Sequence, residues 1–353
     1  MNLTLHLTDN CNMNCSYCIR EKHPCDMSEE TLIKACDLAF SKGKRAGLCF
    51  FGGEPLLKKD LIYKALEYCR AKSAETGMRF DCKMTTNGTL LDAGFLAVAR
   101  EHGMVIGLSF DGLAQDVARR YVTGGRTFEL LERKAKLLLE YLPDSIAMAT
   151  ICPDAVPYYS DSVKYFYELG FKKVSMTPAY GHKVSWSEEK LEELRAELEK
   201  TAKFLKEIYL KGAEFDIGPL DVKIMQMIRG YNPDSKCHLG ARQMPVTPKG
   251  DLYPCTSFIG DKEYYLGNVY DGIDEDNLVR ISSKSNTPEE CLSCDLNKRC
   301  TNSCGCANRM NTGDENRVSP LQCAYERMVI EVSDKLGDYI YNKDPELFTS
   351  KYS

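Results

Sequence analysis

Cys11, Cys15 and Cys18 stand in the spacing C-x3-C-x2-C directly after the first strand-like run. Three thiolates on one short loop suit three irons of a [4Fe–4S] cube and leave the fourth iron open to a small chelating molecule. The rival is a zinc site, which needs a fourth ligand nearby, and Cys25 or His23 could supply one. A second group runs Cys237, Gly250-x4-Cys255, Cys291-x2-Cys294-x5-Cys300-x3-Cys304, Cys306 and Cys323. The chain has 17 cysteines and starts MNLTLHLTDN, which lacks the basic and apolar regions of a secretory signal. The expected address is therefore cytoplasmic and reducing, where clustered thiols serve metal or redox chemistry rather than disulfides. Most of the scattered remainder (Cys25, Cys36, Cys49, Cys69, Cys82 and Cys152) read as small buried apolar residues.

Three polar signatures accompany the first group: Gly52-Gly53-Glu54-Pro55, TTNGT (85–89) and LSFDG (108–112), each ending a strand-like run. Singly, each reads as a turn or a helix cap. In this order, at successive strand ends, they resemble the radical S-adenosylmethionine (SAM) superfamily. The resemblance runs through the N-terminal two-thirds of the chain. It implies that SAM chelates the open iron and that Tyr17 lies against the adenine. Gly52, Gly53 and Glu54 would take the SAM ammonium, and Thr86 and Asn87 belong to the segment ending the third strand. Ser109 and Asp111 resemble the ribose-contacting segment, and Arg119, with Arg120 as runner-up, would pair with the SAM carboxylate.

The second cysteine group resembles the SPASM extension of the same superfamily, its last gap one residue longer than usual. The resemblance implies two auxiliary [4Fe–4S] clusters, three clusters in all. Cys291, Cys294, Cys300 and Cys323 would hold one, and Cys237, Cys255 and Cys304 the other. The latter lacks a ligand, because the position six after Cys237, cysteine in some relatives, is Gln243. Either Cys306 supplies it, or the iron stays open to a substrate thiolate; His238 is a weaker candidate.

Family members use a 5′-deoxyadenosyl radical to take hydrogen from substrate carbon, and those with SPASM extensions typically act on peptides or proteins. The expected function is maturation of a ribosomally made peptide through a thioether or another crosslink. An external donor such as flavodoxin or ferredoxin would supply electrons, and a separate leader-recognition protein would fit, since the first strand begins almost at Met1. Three enzyme and scaffold alternatives stand beside it. An anaerobic sulfatase-maturing enzyme typically has Asp after its Tyr-Pro-Cys as base, where this chain has Tyr253-Pro254-Cys255-Thr256. A peptide epimerase would need a hydrogen-donating thiol, for which Cys152 is the candidate catalytic residue. A non-catalytic iron–sulfur electron carrier or zinc scaffold would have no use for Glu54 or the ribose segment.

The elements that must position these residues alternate. Strand-like runs at 3–8, 46–51, 80–86, 104–110, 145–151 and 172–178 are separated by stretches with i, i+3, i+4 apolar spacing, such as 29–41, 61–72, 128–141 and 158–169. Such βα alternation predicts an α/β fold, a partial (β/α)6 barrel with its chemistry at the strand ends. Residues 187–211 read as a charged helix with a solvated face. PVTPKGDLYPC reads as two short strands about a Pro-Lys-Gly-Asp turn. The expected domains are a core at 1–215, a linker at 216–236, a cluster domain at 237–325, and a C-terminal helix and tail at 326–353. A net charge of −5 without a basic block disfavours nucleic acid, and no apolar run suits a membrane.

Overall fold

The computed structural model describes residues 1–20, 22–230, 239–240, 243–284, 287–302 and 304–352. Cys237 and His238 therefore lie outside the described residues. The first half runs β1 (Asn2–His6), α1 (Glu29–Phe40), β2 (Arg45–Phe51), α2 (Lys59–Thr76), β3 (Arg79–Thr86), α3 (Ala93–Glu101), β4 (Val105–Ser109) and α4 (Gln115–Ala118). It continues with α5 (Phe128–Tyr141), β5 (Ile146–Ile151), α6 (Tyr159–Leu169), β6 (Lys173–Pro178) and α7 (Glu188–Tyr209). Then follow β7 (Asp216–Gly218), α8 (Leu220–Arg229), β8 (Met244–Val246), β9 (Gly267–Asn268), β10 (Gly272–Ile273), α9 (Glu275–Lys284), α10 (Gly305–Thr312), α11 (Pro320–Lys343) and α12 (Pro345–Tyr352).

β1 to β8 form one parallel sheet in the order β7-β6-β5-β4-β3-β2-β1-β8. The six expected strands lie in sequence order, as right-handed βα crossovers produce. Two short strands extend the sheet at its edges, so it is an open eight-stranded partial barrel. The stretch read as a linker carries β7 and α8, and the core sheet continues past residue 215. At PVTPKGDLYPC β8 pairs parallel to β1, and the chain turns back through an antiparallel Val246–Leu252 bridge, with Thr247 N–H donating to Asp251 O at 2.9 Å and Tyr253 N–H to Pro245 O at 3.3 Å. The closing helix begins earlier than residue 326, at Pro320, capped by Ser319.

Alternation along the strands separates two environments. Ala147, Ala149 and Ile151 of β5 face the helices and are buried, as are Val174 and Met176 of β6. The alternate residues Met148, Thr150, Ser175 and Thr177 face the trough of the barrel, where they line an open cavity. α11 packs on α7 and α8 and ties the C-terminal region to the barrel. Its Glu326 meets Lys223 of α8 at 2.8 Å, both buried, and also accepts from the Thr301 hydroxyl at 2.7 Å. No helix among the described residues is long and apolar enough to cross a membrane.

Candidate active site and cluster sites

The loop bearing Cys11, Cys15 and Cys18 leaves the C-terminal end of β1 and is pinned at its base. The Asp9 N–H donates to Cys25 O at 2.9 Å and Met27 N–H to Leu7 O at 2.8 Å, while the Thr8 hydroxyl donates to Asp26 at 2.6 Å. Three other strand ends hold the loop from the side. After β2, Gly53 N–H donates to Thr8 O at 2.7 Å and Glu54 N–H to Asn10 O at 2.9 Å. After β3, the Asn87 amide donates to Asn12 Oδ1 at 2.8 Å and reaches Cys11 Sγ at 3.7 Å. After β4, Asn14 N–H and Ser16 N–H donate to Arg120 O and Ala118 O at 2.7 and 3.0 Å. Most of these ties are backbone groups that no side-chain signature reveals; the Asn87 amide is one that the sequence had marked.

The Gly-Gly pair exists because two chains pass too closely for a side chain. Gly52 has φ +132°, and a Cβ there would lie 2.4 Å from Thr8 O; at Gly53 it would lie 2.0 Å from Asn10 O. We expect Gly53→Ala to push the cysteine loop off β2, costing about 1–3 kcal/mol and lowering iron uptake on reconstitution. Parent-like unfolding and parent-like iron content in Gly53→Ala would contradict this.

Within this frame Cys11, Cys15 and Cys18 line a cavity of about 350 Å³, together with Tyr17, Gly52, Gly53, Thr86, Asn87, Ser109 and Arg119. Two expected contact residues stand behind its wall. Glu54 is fully buried, its carboxylate accepting from the Thr86 hydroxyl at 2.6 Å, Asn87 N–H at 2.7 Å and Leu56 N–H at 3.0 Å. Asp111 is buried beneath Tyr17, whose hydroxyl donates to Oδ2 at 2.9 Å, and accepts from Thr150 N–H at 2.9 Å. Arg119 closes this group: its Nε lies 2.9 Å from Asp111 Oδ2, its guanidinium stacks 5.2 Å from the Tyr17 ring centroid, and Nη1 is 4.0 Å from Cys15 Sγ. Arg120 is exposed and donates to Asp116 O instead. Cys152, the candidate hydrogen donor, is buried at the end of β5 and does not line the cavity.

Burial pushes the Cys15 thiol up to about 11, with Arg119 pulling the other way, and also raises Cys11. A bound metal must therefore displace protons, with the Arg119 charge favouring thiolate at Cys15. Burial also pushes the Glu54 carboxyl up to about 7, against the hydrogen bonds from Thr86, Asn87 and Leu56. The folded chain then keeps that proton to higher pH than the unfolded chain, so this group's stabilisation is full below about pH 4.5 and fades as pH rises through about 7. Against a Glu54→Gln variant, which cannot ionise there, the parent should lose relative stability between about pH 5 and 8. Denaturant unfolding at several pH values tests this; a constant gap contradicts it.

Residues that the sequence did not single out complete the cavity. Met148, Thr150, Ser175 and Thr177 come from β5 and β6, and their only sequence signal was period-two alternation near strand ends. Thr256, which the sequence had marked after Tyr253-Pro254-Cys255, lines the cavity too, with its hydroxyl 3.4 Å from Nε2 of His6. Burial first, and Arg20 second, lower His6 to about 3, so its ring is neutral. Among the described residues, the carboxylate lining the cavity is Asp9, ion-paired with Arg20 at 2.8 Å.

The C-terminal cysteines form two groups. Cys291, Cys294, Cys300 and Cys323 line one small cavity, held between α8 and α11 through Arg299, which pairs with Asp334. Arg327 reaches Cys294 Sγ at 3.8 Å. In the other group Cys304 Sγ lies 3.3 Å from Cys306 Sγ. Hydrogen bonding from the Cys306 thiol lowers Cys255 and Cys304 and raises Cys306 itself. Among the described residues, no three His, Cys, Asp or Glu side chains close around a single ion. Cube ligation asks for something else, one thiolate per iron around a shared volume. The triad around its cavity and the four cysteines around theirs fit that donor set.

Part of this frame matches a known protein family. The model of the Radical SAM superfamily matches residues 5–169. A cysteine-type anaerobic sulfatase-maturating enzyme of Clostridium perfringens is 25% identical over 329 residues, covering 83% of this chain and 85% of that protein. The solved structure of anSMEcpe with bound AdoMet superposes with a TM-score of 0.84 at 20% identity, covering 100% of this chain and 98% of that one. Streptococcus suis SuiB bound to S-adenosylmethionine gives a TM-score of 0.64 at 17% identity, over 91% of this chain and 76% of that one. These structural likenesses establish the shared partial-barrel fold. The cysteine loop, Gly-Gly turn and strand-end residues all fall inside the segment, residues 5–169, that matches the Radical SAM superfamily.

Proposed function

We propose that this chain abstracts hydrogen from a side chain of a bound peptide, with a [4Fe–4S] cube held by Cys11, Cys15 and Cys18 and SAM in the cavity beside it. The observation that supports this most is the convergence of four strand ends on the three thiols around one cavity of about 350 Å³. When bound, the cube and SAM supply one electron and a 5′-deoxyadenosyl radical. The chain's own residues bind and orient. Arg119 places a cation beside Cys15 and the cavity, offering a partner for a carboxylate. Glu54 acts as a positioning residue, locking the Gly-Gly turn to the Thr86–Asn87 strand end. Ser109, Thr150, Ser175 and Thr177 offer hydroxyls to polar ligand atoms. Cys291, Cys294, Cys300 and Cys323 hold one auxiliary cube, and Cys255 and Cys304 belong to a second.

The finer reading is a thioether or other side-chain crosslink in a ribosomally made peptide. Thr256 supports it, because the cavity presents a hydroxyl where formylglycine formation calls for a base, and Asp9 is tied to Arg20. Formylglycine formation is the second reading, favoured by similarity to the sulfatase-maturating enzymes over most of both chains. Incubation with SAM, reductant and two peptides decides between them by mass. Loss of hydrogen with sulfur retained in a Cys-rich peptide encoded beside this chain supports the crosslink. Conversion of a sulfatase-derived Cys or Ser peptide, with the Cys-rich one inert, selects the second reading. No change in any peptide while SAM is cleaved overturns the substrate class.

A further inference from the structure

The segment after α4 runs antiparallel along the cysteine loop. Asn14 N–H and Ser16 N–H donate to Arg120 O and Ala118 O, Val122 N–H donates to Asn12 O at 3.1 Å, and Met13 bridges Tyr121. Arg119 is extended, with φ −108° and ψ 92°, so neighbouring side chains leave on opposite sides. Arg119 turns into the cavity, while Arg120 and Val122 face solvent. Next to Arg120 lies a shallow depression of about 380 Å³, with Leu113, Val117 and Tyr158 as an exposed apolar floor and Arg126 on its side. Asp116, the acid of this depression, is spent on its own chain: its Oδ1 accepts from Thr127 N–H at 2.7 Å and Phe128 N–H at 3.1 Å. Arg120 donates to Asp116 O, and among the described residues neither Arg120 nor Arg126 is ion-paired with a carboxylate. In a chain of net charge −5, two unpaired arginines around an apolar floor stand apart from the rest of the surface.

We propose that this face docks an acidic protein that carries electrons one at a time and reduces the cube. The inference rests on the reading that Cys11, Cys15 and Cys18 hold that cube. One electron leaves the carrier and enters the cube, with no bond made or broken. Asn12 and Asn14, bonded to the segment's backbone, adjoin Cys11 and Cys15 in the chain, so the carrier would stand on the back of the cysteine loop. Because Arg119 and Arg120 point opposite ways, a carrier there leaves the cavity side to SAM and peptide. A peptide, by contrast, has to reach that cavity side. Unpaired arginines steer an acidic partner, and the apolar floor supplies the contact that excludes water. So small a face suits a transient electron-transfer encounter rather than a lasting complex.

The test follows flavin oxidation when photoreduced flavodoxin, an acidic one-electron carrier, is mixed anaerobically with the full, iron-loaded chain. Arg126→Glu should slow the transfer about tenfold at low ionic strength, and the gap should close toward about 0.5 M salt. Arg126→Lys should stay near the parent, and Leu113→Glu should slow the transfer as well. Dithionite, a small donor that needs no docking face, should reduce every variant at the parent's rate and with the parent's iron content, which separates docking from a folding defect. Transfer from flavodoxin unchanged in both Arg126→Glu and Leu113→Glu overturns the proposal. So does a loss of peptide-stimulated 5′-deoxyadenosine formation in these variants with dithionite as donor, which gives the face to the peptide instead. An iron-loaded parent that forms no 5′-deoxyadenosine from SAM and dithionite overturns the cube reading beneath the proposal, a different failure visible before any variant is made.

Discussion

Replacing Cys11, Cys15 and Cys18 together by Ala is expected to reduce 5′-deoxyadenosine formation from SAM to the no-enzyme background. The three thiols line one cavity with Arg119 and the Gly-Gly turn, and no other cysteine among the described residues lines it. Iron held by the C-terminal cysteines should persist, so the reconstituted content falls by about four per chain rather than to zero. Single replacements should act nearly as strongly, since a cube deprived of one of three protein ligands is left with two open corners. Quantitation of the nucleoside by chromatography, beside iron analysis, checks both halves. Cleavage retained in the triple variant would remove these residues from the chemistry.

Asp111→Ala is expected to cost about 3–5 kcal/mol of stability, because it strands the Arg119 charge in the protein interior. Asp111 is 1% exposed and Arg119 8%. The same substitution takes partners from the Tyr17 hydroxyl and Thr150 N–H, so three elements lose their junction at once. Asp111→Asn keeps the shape and the acceptor toward Thr150 and should fall between the two. A double variant that also replaces Arg119 with Met should recover part of the loss, since no unpaired charge remains. Urea unfolding of all four proteins measures this. An Asp111→Ala protein within about 1 kcal/mol of the parent would contradict a buried, structurally important pair.

How much of this arrangement the sequence revealed depends on the kind of signal. The six long strands were legible because β-branched and aromatic runs of five or more residues carry their own periodicity. β7 and β8, at three residues each, carry none and form only because β6 and β1 offer open edges. α8 was hidden in a stretch whose Gly, Pro and Asn content suggested a connection. In the site, the cysteine spacing and Gly52-Gly53 were legible because chemistry or close approach fixes the residue type. Glu54 and Asp111 were legible as participants, but not their burial behind the wall, which depends on how strand ends meet. Met148, Ser175 and Thr177 gave no chemical signal, since a trough-facing residue of ordinary type differs from a core residue only by its parity. Thr256 reaches the cavity because β8 pairs beside β1 and brings the chain after it to His6, a long-range pairing that local sequence does not encode.

Production of 5′-deoxyadenosine by the full, anaerobically iron-loaded chain, given SAM and a strong reductant, tests the central claim most directly. The account predicts reductant-dependent release of the nucleoside with methionine in equal amount, increased by a peptide that fits. Iron-replete protein that releases neither, with or without peptide, would contradict it.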